Sequence, residues 1–419
     1  MAAREIDQST IVQKPEPYAR GQILPDPEAE ARKSTHGRLM VRERILALGK
    51  DSIYNLTGLV RAFPLDSEDL PSLENQFIFY THFLGRAEEL ALKYTGASDR
   101  DFSAVMCNRV TSAMLAIMLG TLQRDDQVLS LVAKGRSHPS VQQAVELVGA
   151  SFSEVQGIEA LEEAIVQRPW KMLVITPLTP SKYHITAADV HRAITLAKER
   201  DSIVFVDDAH MMSRSIFYDE PVTLGLGDVD LSVWSLDKHV PGPRGAAIVG
   251  RKNLMEKISA QAFQFGLEAQ TGHYAAMVRG MEAFDPEPVR RAGALARDFF
   301  QRLKPRFGER IYQAGPGVAL SAEDFAEVVF ERAESRETSL VPSEVSITAC
   351  FLLLKHYGGI TIPITGYPGA APTFRLMMHP DGARFGIDRL EQAVEDVIER
   401  TASLLQKPED VSRLLLGEG

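Results

Sequence analysis

The sequence is poor in cysteine and tryptophan, with two of each among 419 residues. Cys107 and Cys350 are too few for the disulfide framework of small secreted proteins, so both are expected to be reduced thiols. The longest apolar runs are far shorter than the roughly 20 residues that a membrane helix needs. The start, MAAREIDQST, lacks the apolar centre of a secretory signal. These absences favour a cytoplasmic protein.

The chain also lacks an excess of basic residues, since its net charge is −10 and its isoelectric point is about 5.6. This charge argues against nucleic acid or an anionic membrane as the main partner. Histidine, cysteine and carboxylates are not clustered with the spacing of metal ligands, so no metal site is predicted. Apolar residues make up 45% of the chain and charged residues 24%, which is typical of a globular protein with a large core.

The most informative stretch runs from Asp201 to Gly250. Its first short apolar run, Ile203–Val206, is rich in β-branched residues, as expected of a strand that is buried on both faces. Asp207, Asp208 and His210 follow at the carboxyl end of this run. A carboxylate pair and an imidazole therefore stand where a strand of an α/β sheet would end.

A second and a third apolar run follow in the same stretch. Leu231–Trp234 leads to Ser235 and Lys238, and a turn rich in glycine and proline separates them from Ala246–Val249. In an open α/β sheet, ligands bind at the edge where parallel strands end. The acid, the imidazole and the lysine are therefore expected to meet at one ligand-binding edge.

These three groups together indicate a pyridoxal phosphate site. A carboxylate keeps a pyridine nitrogen protonated, an imidazole bonds a phenolic oxygen, and a lysine forms a Schiff base. Simpler interpretations remain open for each motif taken alone. Asp207, Asp208 and His210 could form a metal pair or a helix cap, and Lys238 could be a solvated loop residue.

The motifs D-D-A-H, S-L-D-K and G-P-R-G resemble those of fold type I pyridoxal phosphate enzymes, the aspartate aminotransferase superfamily. Within it, the spacing resembles the α-oxoamine synthases and glycine C-acetyltransferase, and D-K-x-x-x-G-P resembles selenocysteine-synthase-like proteins. The resemblance covers roughly residues 70 to 400. It implies a three-layer α/β/α large domain with a mostly parallel seven-stranded sheet, followed by a smaller α+β C-terminal domain.

Apolar runs that alternate with helical patterns support this fold class, because βαβ units build parallel sheets. We predict an N-terminal arm and helix over residues 1–50, with the arm extended to about residue 35. The large, cofactor-binding domain is predicted over residues 51–285. Pro286 and Pro288 indicate the hinge into a small domain over residues 286–419.

The resemblance implies roles for four residues around the cofactor ring. Lys238 would carry the cofactor, Asp207 would partner the pyridine nitrogen, and His210 would lie near the ring hydroxyl. His138, in an H-P-S motif similar to the H-A-S of oxoamine synthases, would stack on the ring. The alternative for His138 is a helix cap, and Asp208 is the other possible nitrogen partner.

Four hydroxyl residues are further cofactor candidates. Thr111 and Ser112 stand at a strand–turn–helix junction, where unpaired N–H groups and the helix dipole favour a phosphate. This junction has no glycine, unlike the usual family pattern, and either residue could be an N-cap instead. The resemblance also implies a phosphate contact for Ser235, and it makes Thr179 a candidate against the ring oxygen or the substrate.

Three residues are candidate substrate contacts. In many fold type I enzymes an x-R-L strand before the last helix grips the substrate carboxylate, which implies this role for Arg375. Arg244 could bind phosphate or a substrate carboxylate, and Tyr54 could either line the substrate mouth or pack in the core. The Gly-Gly-Ile before Arg375 resembles the tryptophanase-type β-eliminating lyases.

The implied reaction begins when an amino acid displaces Lys238 to form an external aldimine, in which the cofactor acts as an electron sink for a carbanion at Cα. Lyases, aldolases, synthases, racemases and aminotransferases share these steps. We favour a lyase or a related aldolase- or synthase-type enzyme, with an aminotransferase as the alternative. A non-catalytic regulatory protein and a metal hydrolase are the distant alternatives. The superfamily resemblance implies a homodimer or a larger homo-oligomer.

Overall fold

The structure is a computed structural model that describes residues 20–366 and 370–417. The chain divides into two compact units. One comprises Val60–Pro286, and the other comprises the described residues from 20 to 59 together with those from Glu287 onward. The change of unit at Pro286 lies at the predicted hinge, but residues 51–59, which we assigned to the large domain, fall in the second unit.

Twelve strands are present in the described residues. In chain order they are β1 Tyr54–Asn55, β2 Phe102–Cys107, β3 Gln127–Val132, β4 Ser151–Gln156, β5 Met172–Ile175, β6 Ile203–Asp207, β7 Leu231–Ser235, β8 Ala246–Arg251, β9 Ile311–Gln313, β10 Gly317–Leu320, β11 Gly359–Ile360 and β12 Phe374–Met377.

The α-helices of the described residues are, in chain order, α1 Pro27–Leu48, α2 Leu70–Leu73, α3 Gln76–Thr95, α4 Val110–Thr121, α5 Pro139–Leu147, α6 Ile158–Ile165, α7 Ala187–Lys198, α8 Met211–Phe217, α9 Lys252–Gln264, α10 Thr271–Glu282, α11 Glu287–Phe307, α12 Ala322–Ala333, α13 Pro342–Tyr357, α14 Ile362–Thr365, α15 Gly382–Phe385, α16 Ile387–Leu404 and α17 Pro408–Leu416.

The first unit is built on a seven-stranded sheet of order β2-β8-β7-β6-β5-β3-β4. Strand β8 runs antiparallel to both of its neighbours, and the other strand pairs from β7 to β4 are parallel. This arrangement confirms the predicted α/β class and the mostly parallel seven-stranded sheet. The carboxyl ends of β3, β5, β6 and β7 meet at one edge of the sheet, where an α/β fold binds its ligands.

Helices cover both faces of this sheet. On one face, alternate strand residues such as Val174 and Phe205 pack with α4, α5 and α9. On the opposite face, the intervening residues pack with α6 and α7 around Val204 and Val206, and with α3 and α10 around Trp234. Because successive strand residues point to opposite faces, the position of a residue along the strand decides on which side of the sheet its side chain lies.

The second unit has its own hydrophobic core, which includes Phe325, Phe351 and Phe374. It contains the three-stranded antiparallel sheet β12-β10-β9 and the two-stranded parallel pair of β1 with β11. These elements confirm a smaller α+β unit in the C-terminal part of the chain. Its helices α11, α13 and α16 are long, and α13 carries a nearly continuous run of buried side chains.

The prediction of an extended arm to about residue 35 is wrong from Pro27 onward, where α1 begins. Asp26 caps this helix, because its Oδ1 accepts a hydrogen bond from the Ala29 N–H at 2.7 Å, and Pro27 occupies the first helical position. Proline is favoured at that position since its missing N–H has no helical partner to lose. The earlier part of the predicted arm, residues 1–19, lies outside the described residues.

Both cysteines are buried and free, in keeping with the expectation of reduced thiols. Burial raises the pKa of each thiol to about 12, so neither is a reactive thiolate at neutral pH. Within residues 20–366 and 370–417, no helix is long and apolar enough to cross a membrane.

Candidate active site

The carboxyl edge of the large sheet brings together the central residues of the sequence prediction. His138 follows β3, Asp207 ends β6, and Lys238 lies three residues beyond the end of β7. Lys238 is close enough to the other two to act electrostatically on both, because its charge lowers the pKa of Asp207 and of His138. The structure therefore brings together Asp207 and Lys238 of the predicted trio, and it adds His138 to them.

Asp207 and its neighbour Asp208 enter different layers. Asp207 continues the alternation of Phe205, whose side chain packs on the α4 and α5 face. Asp208 continues the alternation of Val206 on the opposite face. The two carboxylates therefore do not converge on one ligand, which weighs against the metal pair that the sequence left open.

Asp208 is held by a buried guanidinium. Arg214 of α8 donates through Nε to Asp208 Oδ1 at 3.1 Å and through Nη2 to Oδ2 at 2.6 Å, and both side chains are inaccessible to solvent. The Thr223 hydroxyl donates to the same carboxylate at 2.8 Å. Arg214 also bonds Glu220 at 3.1 Å. Asp208 thus has a complete set of partners in the fold itself, and sequence reasoning missed Arg214 altogether.

Asp207 is equally buried but has few partners. Its Oδ1 accepts one long hydrogen bond, 3.3 Å, from the Ala209 N–H. Burial raises the pKa of Asp207 to about 6, and the charge of Lys238 only partly opposes this rise. A buried carboxylate with a raised pKa is suited to a cationic ligand group, so the geometry favours Asp207 over Asp208 as a nitrogen partner.

His138 both caps a helix and belongs to the site. It is the N-cap residue of α5, where its Nδ1 accepts from the Ser140 N–H at 3.1 Å and lies 2.6 Å from Ser140 Oγ. Burial, together with the charges of Lys238, Arg109 and Arg136, lowers the pKa of His138 to about 3. The imidazole is therefore neutral at physiological pH. Capping and stacking are compatible roles, because the cap uses only one ring nitrogen.

The amino end of α4 carries Thr111 and Ser112, the two residues that we predict to bind a phosphate. Arg109 is the N-cap residue of α4, which begins at Val110. Thr111 is exposed and Ser112 is half-buried within the first turn, where N–H groups have no helical partner. Arg109 and Arg136 both help to lower the pKa of His138, so the N-cap arginine of α4 and a second positive charge lie near that imidazole. The donor set is therefore suited to an anion.

Ser235 and Asp237 form the base of the Lys238 loop. The buried Ser235 hydroxyl donates to Asp237 Oδ1 at 2.7 Å, and Arg61 Nε lies 3.3 Å from Asp237 Oδ2. The Asp237 carbonyl accepts from the Val60 N–H at 2.8 Å. Because its hydroxyl proton is engaged by Asp237, Ser235 fixes the loop in this structure, and its contact with a phosphate stays a prediction.

His210 has a neighbour that the sequence did not reveal. The Nζ of Lys182, in the loop after β5, contacts His210 Nδ1 and lies 3.1 Å from its Nε2. Thr179 shapes this loop, since its hydroxyl accepts from the Tyr183 N–H at 3.0 Å and its carbonyl accepts from the Lys182 N–H at 2.8 Å. Thr179 therefore positions Lys182, and its predicted ligand contact stays untested.

The substrate candidates fall in different surroundings. The Arg244 carbonyl contacts the His273 imidazole, next to the Lys238 loop. In the second unit, Tyr54 accepts a hydrogen bond from Arg389 at 2.8 Å and packs edge-on against Phe385, which favours its packing alternative. Arg375 lies on β12 opposite Ala319 and is 7% exposed. Its substrate role stays a prediction.

The sequence is similar to four proteins described as UPF0425 pyridoxal phosphate-dependent proteins. One from Methanothermobacter thermautotrophicus is 30% identical over 397 residues, which cover 94% of this chain and 100% of that protein. One from Methanosphaera stadtmanae is 29% identical over 90% of this chain and 95% of that protein. Residues 309–385 match the family model described as the UPF0425 C-terminal domain.

The fold is similar to those of fold type I enzymes. Alanine–glyoxylate aminotransferase from Nostoc sp. has a TM-score of 0.57 at 14% identity, over 83% of this chain and 95% of that one. Serine palmitoyltransferase from S. paucimobilis, solved with a bound PLP–myriocin aldimine, has a TM-score of 0.56 at 15% identity, over 88% and 84%. At these identities the likeness shows the fold alone.

Proposed function

Since the chain belongs to the UPF0425 family of pyridoxal phosphate-dependent proteins, we propose that it is a pyridoxal phosphate enzyme acting at the Cα of an amino acid. One observation carries the proposal from the structure. Asp207, whose pKa is raised to about 6 by burial, shares one sheet edge with Lys238 and the neutral His138. A fold that served only its own stability would pair or expose such a carboxylate.

The residues of the site fit the cofactor. Lys238 would hold it covalently through Nζ, Asp207 would accept from its protonated ring nitrogen, and His138 would lie against the ring. The first turn of α4, with Thr111 and Ser112, would bind its phosphate. An unused donor also supports the fit: the buried Thr176 hydroxyl, directly after β5, has no hydrogen-bond partner among the described residues.

When bound, pyridoxal phosphate supplies an electron sink for negative charge that develops at the Cα of an amino acid. Lys238 Nζ would take a proton from Cα and return one. Asp207 keeps a positive charge next to it stable, because the surrounding protein excludes water. The neutral imidazole of His138 offers a flat surface without adding charge to a site that already contains Arg109 and Arg136.

For the reaction type we propose a lyase or a related aldolase- or synthase-type reaction. Support comes from the His138 motif, which resembles that of the oxoamine synthases, and from the Gly-Gly-Ile segment, which resembles the β-eliminating lyases. An aminotransferase is the alternative. Product analysis distinguishes the two classes, because a transaminase transfers the amino group to a keto acid while a lyase releases a fragment of the substrate.

The test is the visible absorbance of the purified protein with pyridoxal phosphate, before and after a panel of amino acids is added. We expect a band that Lys238→Ala abolishes and that one class of amino acid shifts. Lys171→Ala is the matched control, since Lys171 is exposed and precedes β5 at the opposite edge of the sheet. A wild-type protein that stays colourless with added cofactor would contradict the proposal.

We also propose that the chain forms a homodimer or a larger homo-oligomer. Helix α3 supports this, because Phe77, Tyr80 and Leu84 form an exposed apolar stripe at helical spacing, with Phe77 86% exposed. The neighbouring Phe79 and Phe83 are buried in the core. Light scattering after gel filtration should give a multiple of 46.3 kDa. The change Phe77→Asp should lower that mass, and a monomeric wild type would contradict the proposal.

A further inference from the structure

Two residues of the first unit combine a left-handed backbone with a buried side chain. Among the described residues, seven that are not glycine have a positive φ angle. Two of these are buried, Lys182 with φ 71° and His239 with φ 68°, and each is 2% exposed. They lie in the loops after β5 and β7, the two strands that flank the Asp207 strand. The other five are exposed.

A left-handed backbone is unfavourable for lysine, because its Cβ crowds the following carbonyl oxygen, whereas glycine adopts it freely. In surface turns the backbone conformation is set by the turn, and the side chain of the left-handed residue is exposed to solvent. Lys182 is different, since a long, charged side chain is buried in the strained position. An observed outlier of this kind points to a role for the side chain.

The Lys182 turn directs the side chain to a defined partner. Thr179 closes the turn from both sides, because its N–H donates to the Tyr183 carbonyl at 3.0 Å and its hydroxyl accepts from the Tyr183 N–H at 3.0 Å. The Lys182 ammonium then contacts the imidazole of His210, three residues after Asp207. An ammonium can only donate, so the ring nitrogen that accepts carries no proton and the other ring nitrogen does.

We propose that Lys182 is a positioning residue of the cofactor site, whose ammonium orients the His210 imidazole beside Asp207 and adds a positive charge there. The inference rests on the proposed function, because His210 is taken to face the ring oxygen of the cofactor. Lys182 makes no covalent bond in this role. It fixes the ring nitrogen of His210 that donates, and its charge disfavours further positive charge nearby.

The experiment compares Lys182→Met, Lys182→Arg and Lys182→Gly with wild type, as full-length proteins loaded with pyridoxal phosphate. The measured quantity is the pH midpoint at which the visible band changes as the Lys238–cofactor linkage loses its proton. Removing a neighbouring positive charge makes that proton easier to keep, so Lys182→Met and Lys182→Gly should raise the midpoint by about one pH unit. Lys182→Arg keeps the charge and should restore most of the wild-type value.

Thermal unfolding of the cofactor-free, full-length proteins provides an independent readout. Lys182→Gly removes the left-handed strain, so its midpoint should rise by about 2 °C even though the cofactor site is impaired. Asp125→Gly is the matched control, since Asp125 is left-handed with φ 69° but exposed. It should raise the thermal midpoint similarly and leave the spectral midpoint unchanged.

The outcomes separate this inference from the proposed function. A wild-type protein with no visible band would overturn both. A band whose pH midpoint is the same in wild type and in all three Lys182 variants would overturn the positioning role alone. So would a Lys182→Arg protein that behaves like Lys182→Met, because the side chain would then matter for its shape and not for its charge.

Discussion

The two faces of the large sheet treat neighbouring carboxylates differently at the end of β6. On one face, Asp208 accepts hydrogen bonds from Nε and Nη2 of Arg214, at 3.1 and 2.6 Å, and from the Thr223 hydroxyl. On the other face, Asp207 has one hydrogen bond of 3.3 Å, and burial raises its pKa to about 6. The fold therefore satisfies one carboxylate internally and leaves the other with a single long hydrogen bond.

This difference follows from the geometry of a strand. Successive side chains point to opposite faces of the sheet, so two residues that are adjacent in sequence have different neighbours. The layer that receives Asp208 contains the matching guanidinium. Asp207 instead lies within electrostatic reach of Lys238, whose charge also acts on His138. Two residues that are adjacent in sequence therefore differ in how many partners the fold provides for their carboxylates.

The change Asp208→Asn should have the largest effect on stability. It leaves Arg214 buried with Glu220 as its remaining carboxylate, and loss of one partner of a buried pair costs about 3 kcal/mol or more. Urea unfolding followed by circular dichroism should show this decrease in the free energy of unfolding.

The control for Asp208→Asn is Asp228→Asn. Asp228 pairs with Arg251 at the surface, with side chains 59% and 36% exposed, and such pairs are worth about 1 kcal/mol or less. Equal losses in the two variants would mean that the buried pair contributes no more than a surface pair. The contrast between the two faces of the sheet would then have no energetic basis.

The change Asp207→Asn should have the opposite sign in the cofactor-free protein. The pKa of Asp207 is raised from 3.8 to about 6, so its stabilising contribution is complete below pH ~4 and is lost as the pH rises through about 6. A shift of about 2 units corresponds to roughly 3 kcal/mol. Asp207→Asn should therefore unfold like wild type near pH 4 and be more stable than wild type near pH 8.

Urea unfolding at a series of pH values measures this difference, and the cofactor-loaded proteins provide the converse. With pyridoxal phosphate bound, wild type should regain stability at pH 8, because its carboxylate gains a cationic partner, whereas Asp207→Asn should retain the cofactor poorly. If wild type and Asp207→Asn had the same pH dependence of stability, burial of the Asp207 carboxylate would not destabilise the folded protein at high pH.

Much of this site could be predicted from the sequence. The runs 203–206 and 231–234 are short and apolar, and the residues that follow them are those that the sheet brings together. Parallel strands end at one edge, so proximity in space follows from position in the pattern. The preference for Asp207 over Asp208 came from the matched spacing, and the structure supplies its physical reason in the partners of Asp208.

The residues that were missed depend on contacts without a local signal. A lysine in a loop is expected to be exposed to solvent. Only the left-handed turn that Thr179 closes brings Lys182 to His210. The sequence around Arg214 predicts an exposed residue in a short helix, and only the structure shows its buried ion pair with Asp208. The start of α1 did have a signal, Asp26 followed by Pro27, which the neighbouring prolines obscured.

The smallest predicted effect concerns Thr176, which lies on the same face as Asp207 because it continues the alternation of Val174 in β5. Its buried hydroxyl has no hydrogen-bond partner among the described residues. Thr176→Val removes an unsatisfied polar group and should stabilise the cofactor-free protein by about 1 kcal/mol. If the hydroxyl bonds the cofactor, the same change should weaken cofactor binding about fivefold, as measured by fluorescence titration.

Ser213→Ala is the matched control for Thr176→Val. Ser213 lies in α8, and its buried hydroxyl also has no partner among the described residues. Its removal should stabilise the protein by a similar amount and leave cofactor binding unchanged, because Ser213 is not at the end of a sheet strand. Equal cofactor affinities for Thr176→Val, Ser213→Ala and wild type would mean that the Thr176 hydroxyl is a packing defect. The Thr176 hydroxyl would then not contribute to cofactor binding on the face of the sheet that carries Asp207.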